Sequence, residues 1–170
     1  RQQFFSIWIR PVPHHNAHFA LRQAIRELQA LVDDGLTAAD FEATREFLLN
    51  YSKLYVQTTT RRLGYHMDST VYGTGYFIDE IQRRLPALTV DEVNTAIRRH
   101  LQYDDLAIAI GTNNASAFQA QLVANDPSPP VYNAEVPEDI RTEDALITVF
   151  DLAISPERIR VVAVEEMFSG

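Results

Sequence analysis

"DLAIAIGT", residues 105–112, is the stretch on which the fold turns. It is short and nearly all apolar, the composition of a strand buried on both faces and central in its sheet. Two other stretches share that character. "QQFFSIWIR" (2–10) is aromatic and β-branched and is stopped by Pro11 and Pro13. "RIRVVAVEEMF" (158–168) closes the chain in the same way. Together they predict a sheet.

The segments between read as helices. Phe19, Leu21, Ile25, Leu28, Leu31 and Val32 recur at three- and four-residue steps, with Asn16 as N-cap and Gly35 as the C′ glycine. Residues 36–57 begin again at Thr37, with Asp40 in the first turn and an apolar face of Phe41, Phe47, Leu48, Tyr51, Leu54 and Tyr55. A third helix is predicted over 58–73 and a fourth over 76–88, stopped near Pro86. Thr89 with Glu92 three residues later is a capping box for a helix over 89–101. Residues 114–126 are helical. Residues 127–140, with four prolines, form an extended surface crossing, and a short helix starts at Thr142. The predicted order is β, several helices, β, α, loop, α, β. This is an α/β or α+β layer with helices packed on one sheet, a single domain or domain fragment over 1–170.

Composition narrows the function. Formal charge is −8, and the pairs Arg61-Arg62, Arg83-Arg84 and Arg98-Arg99 make no continuous basic stripe, which argues against a nucleic-acid partner. With no cysteine there is no disulfide, thiol chemistry or cysteine-ligated zinc, while the compartment stays open between periplasm and cytoplasm. No apolar run reaches the ~20 residues of a membrane span. The first residue is Arg1, directly before a strand-like run, so the chain reads as part of a longer protein.

The histidines invite a metal reading. His14 and His18 are four apart, with His15 between them. In the inverted zinc motif H-x-x-E-H, a glutamate stands one residue before the second histidine. Here Ala17 holds that place; read forward from His18, Leu21 and Arg22 hold the glutamate and ligand positions. Zinc hydrolysis needs that base and a third ligand, so the histidines read as turn residues at a helix start. Tyr65, His66, Asp68 and Tyr72 could serve acid–base chemistry. His66 and Asp68, however, point to different helix faces, and the segment reads as core packing through Leu63, Met67 and Val71, with Gly64 permitting a close helix crossing. Ser6, Ser52 and Ser69 lie in no G-x-S-x-G frame, "YGTGYF" (72–77) is a turn, and Glu165-Glu166 is a solvated strand end. No catalytic or metal-ligating residue is assigned.

The order of motifs resembles one family. "FFSIWIRPV", "LVDDGLTAADFEATREFLLNY", "RRLGYHMDSTVYG", "LPALTVDEVNTAIRRHL" and "DLAIAIGTN", running from Phe4 to the chain's end, are similar to the C-terminal half of the pitrilysin/insulinase (inverzincin) zinc metallopeptidases. The resemblance implies a unit of two similar α/β halves. The N-terminal half carries the zinc motif; the C-terminal half lacks the ligands and closes over the peptide. Zinc is then expected in the N-terminal half, in the same or a partner chain, and none in this one. The family's substrate-contacting arginine and tyrosine lie before the first strand here and are not carried over; "RRLGY" (61–65) follows the wrong element, so Arg61 and Tyr65 are not given that role. Two alternatives remain: an assembly subunit with the same fold and no part in proteolysis, and a free-standing metal-binding domain using His14, His15 and His18.

Overall fold

The structure is a computed structural model and describes residues 5–167. Its regular elements are helical: α1 (Ala17–Asp33), α2 (Ala38–Tyr51), α3 (Thr59–Tyr72), α4 (Phe77–Arg84), α5 (Val90–His100), α6 (Ala115–Ala124), α7 (Glu138–Thr148) and the single turn α8 (Val164–Met167). No strand occurs among the described residues, so the α/β expectation is overturned. Residues 2–4 and 168 of the expected outer strands lie outside the described residues. The reason for the difference is that β-propensity supplies only a side-chain preference, whereas a strand exists through hydrogen bonds to another segment. Among the described residues, 5–12, 106–111 and 160–162 make no main-chain hydrogen bond. The expected closing strand instead holds a 3-10 turn at Pro156–Arg158 and α8, which carries Glu165 and Glu166.

The chain divides into two compact units, residues 31–101 and the combination of 1–30 with 102–170.

In the 31–101 unit, local signals set the helix ends. Thr37 accepts from the Asp40 N–H and Thr58 from the Arg61 N–H. Thr89 and Glu92 form the reciprocal capping box. α3 ends at Gly73, φ 67°, where the Gly73 N–H donates to Thr70 and the Thr74 N–H to Ser69, the paired bonds of a Schellman turn. Gly35, φ +76°, closes α1 on the Leu31 carbonyl. The Asn94 amide then grips the next residue: the Leu36 N–H donates to Oδ1 at 2.8 Å, and Nδ2 donates to the Leu36 carbonyl at 3.0 Å. Phe41 and Ile78 are buried. Gln82 donates to the Leu49 carbonyl at 2.9 Å and to Ser52 Oγ at 2.8 Å, tying α4 to the end of α2.

The α3 face differs from expectation. Leu63, Met67 and Val71 are exposed, Val71 at 71%. Ser69 is buried instead, donating to the Tyr65 carbonyl and accepting from the Phe77 N–H. Two stripes run along α3, and hydrogen bonding to the following turn selects the polar one. Gly64 has open space around it, so no close crossing depends on it. Of the face expected over 36–57, Phe41 is buried and Tyr55 half-buried, while Phe47, Leu48, Tyr51 and Leu54 are exposed. Phe47, Tyr51, Tyr55, Tyr65 and Phe77 form a continuous run of ring contacts 5.1–6.0 Å apart.

In the other unit, Leu21, Phe118 and Leu122 form the core, with Ala17, Ile25, Leu152 and Ile159 against them. Asn16 does not cap α1. Pro13 precedes a 3-10 turn at His14–Asn16, and the Asn16 amide pairs with Val131 in both directions, at 2.8 and 3.0 Å. Residues 127–137 carry no helix, but α7 begins at Glu138, four residues before the expected Thr142. Pro137 at the cap, with Glu138 and Asp139 in the first turn, is a sufficient start signal, since the helix dipole favours acids there.

Candidate functional site

The chemistry-bearing side chains of the 1–30/102–170 unit gather at α1. Helical spacing does bring His14 and His18 to one side: their rings lie 6.1 and 6.4 Å from the Phe118 ring. His14 is exposed and approaches Thr112 Oγ1 at 3.4 Å; His15 is also exposed. His18 is 4% exposed, and its Nε2 has no partner.

One turn on stands Arg22, with no exposed surface. Its guanidinium reaches the loop after α6 and the end of α7. Nη2 donates to the Asn125 carbonyl at 2.9 Å and to Asn125 Oδ1 at 2.7 Å. Nη1 donates to the Asp126 carbonyl at 3.0 Å, to Ser128 Oγ at 2.8 Å and to the Thr148 carbonyl. A helix C-terminus leaves carbonyls unpaired and carries partial negative charge, so a buried cation is stable here. Asn125, φ 52°, is the left-handed cap of α6. Its Nδ2 donates to Asp151 Oδ1 at 2.7 Å, which also accepts from the Ala153 N–H at 2.8 Å. Burial lowers the Arg22 pKa, while Asp151 and Asp126 oppose that shift.

This arrangement does not fit zinc. A guanidinium one turn from the buried imidazole repels a dication, and no group of three His, Asp or Glu residues that could hold a metal ion occurs among the described residues. Burial, then the Arg22 charge, lowers the His18 pKa to about 4. The unfolded chain therefore takes up a proton near pH 6.5 that the folded chain refuses. The contribution of His18 to stability is complete above about pH 6.5 and is lost progressively as the pH drops toward 4. Urea titrations of the native chain and His18→Phe at pH 7.5 and 4.5 test this: the variant should lose less over the interval. Equal losses would remove His18 from the account.

In the 31–101 unit, the Tyr65–Asp68 set does not assemble. Tyr65 stacks on Phe77, while His66 stacks on Tyr76 with centroids 4.1 Å apart.

Two open apolar cavities lie in the 1–30/102–170 unit, sharing Leu106, Ile108 and Ile110 as a common wall. One, of about 970 Å³, has Phe5–Val12 on its other side, including Trp8 at 88% exposure. The second, of about 530 Å³, is bounded by Arg158–Val162 and Phe118. Sequence reasoning missed Arg22, because its partners lie more than 100 positions away. The cavities have a signal in the apolar runs 5–12 and 106–111, whose composition suits strands but whose main chains lack partners among the described residues.

No helix among the described residues is long and apolar enough to cross a membrane. Comparison with family models, with curated proteins and with solved structures finds no match.

Proposed function

We propose that this chain is the non-catalytic C-terminal region of a zinc metallopeptidase of the pitrilysin/insulinase kind, forming part of a peptide-binding chamber whose zinc sits in an N-terminal half. One observation carries this reading: the buried polar side chains are committed to holding the fold, while exposed apolar side chains line an open groove. Arg22 and Asn125 bind helix ends, Asn94 binds a turn, and Val161 and Val164 stand exposed beside the cavity of about 530 Å³. Such a surface can fix an extended substrate and lower the entropic cost of attack, while the nucleophile is supplied elsewhere. The motif order from Phe4 onward supports the family assignment.

The second reading, an assembly subunit with no part in proteolysis, draws on the amount of exposed apolar surface. Peptidase assays separate these roles. The purified chain alone should leave a quenched fluorescent peptide uncut, with or without added zinc, and should support chelator-sensitive cleavage when combined with a zinc-bearing half. Chelator-sensitive cleavage by the chain alone would refute the non-catalytic assignment. Full activity of the catalytic half without this chain would favour the assembly reading.

A further inference from the structure

The three β-branched stretches pose an accounting problem. Residues 5–12 and 106–111 border the larger cavity, and their main-chain donors and acceptors have no partner among the described residues. Main-chain polar groups in native proteins are almost always paired or solvated. Here they are solvated, but at the expense of exposing Phe5, Ile7, Trp8, Ile108 and Ile110, each 44% exposed or more. Water satisfies the amides and leaves the apolar side chains wet.

The chain exposes 13008 Å², against about 10,000 Å² for two compact units sharing its mass. The surplus is spread over both units, and Phe5, Ile7, Trp8, Ile108 and Ile110 are its share beside the larger cavity.

We propose that the cavity between Phe5–Val12 and Leu106–Thr112 is a strand-acceptor slot, filled by one extended polypeptide strand from a partner protein. A lipid tail or an apolar small molecule would cover the side chains but leave the amides unpaired. A strand does both, because its main chain pairs laterally while alternate side chains pack on one face. The inference does not depend on the peptidase reading: the strand completes this unit's own architecture and is not a substrate.

The test uses the full chain and the peptide KVTVTVTK, acetylated and amidated, with Trp8, the single tryptophan, as reporter. Binding should shift Trp8 emission to the blue and slow amide exchange at 106–111. A peptide N-methylated at alternate residues keeps its side chains but loses one edge of donors, and should bind at least ~10-fold more weakly. Ile108→Pro and Ala109→Pro form a second comparison. Successive amides of a strand point to opposite sides, so one variant should lose binding and the other keep it, both with unchanged far-ultraviolet circular dichroism. Four results would each overturn the proposal: no binding, equal binding of the methylated peptide, protection of 106–111 in the free monomer, or protection that rises with protein concentration. The third would mean that the segments pair with each other, and the last that a second copy fills the slot.

Discussion

Arg22→Met should be the most damaging single substitution in the 1–30/102–170 unit, lowering stability by about 3 kcal/mol or more. Methionine fills much of the same volume, so the loss reports polar bonds rather than a void. Without the guanidinium, the carbonyls of Asn125, Asp126 and Thr148 lose their shared donor. Each acceptor left dry costs about 1–3 kcal/mol, partly relieved if water enters. In urea, the midpoint for this unit should fall by about 1–3 M. Arg22→Lys should recover less than half of that, since one ammonium cannot span acceptors on the α6 cap and the α7 end together. A lysine variant as stable as the native chain would show that charge alone matters.

Gly35→Ala should be comparably severe in the 31–101 unit, at about 2–4 kcal/mol. Two effects combine. The backbone stands at φ +76°, where a Cβ is strained, and that Cβ would lie 2.7–2.9 Å from the Asn94 amide. Moving Asn94 away breaks both of its bonds to Leu36. The two effects separate in a double-mutant cycle. In an Asn94→Ala background, Gly35→Ala should cost only the backbone part, about 1–2 kcal/mol. Denaturation midpoints of the four proteins measure the coupling; strictly additive losses would mean that the amide yields freely.

What could be read from sequence divides by the range of the forces involved. Thr37, Gly35 and the Thr89–Glu92 pair were legible because a cap is completed within a few residues of itself. The stretches at 2–10, 105–112 and 158–168 were not, because pairing is settled between distant segments. Their composition announces a strand, but whether a neighbour is present is not written in it. The α3 face failed for another reason: Leu63, Met67 and Val71 form a regular stripe, yet Ser69, with two hydrogen bonds, is the residue turned inward. Periodicity identifies a helix more readily than it identifies which side is covered. At the candidate site the three histidines read as turn residues: His14 and His15 are exposed in a 3-10 turn, but His18 is buried in α1, and the cation that decides its chemistry stands out in the sequence only as a residue where a ligand should be.

The wet run Leu106–Ile110 has a consequence for how the protein behaves in a tube. The run carries no charge and no proline, Ala107–Ile110 are exposed, and Ile108 and Ile110 have high β-propensity, features of segments that seed fibrils. Asp104 and Asp105 stand directly before it and act as gatekeepers, since stacking identical chains would stack their carboxylates. Concentrated salt screens that guard, so storage at low ionic strength is what keeps the isolated chain from becoming its own template.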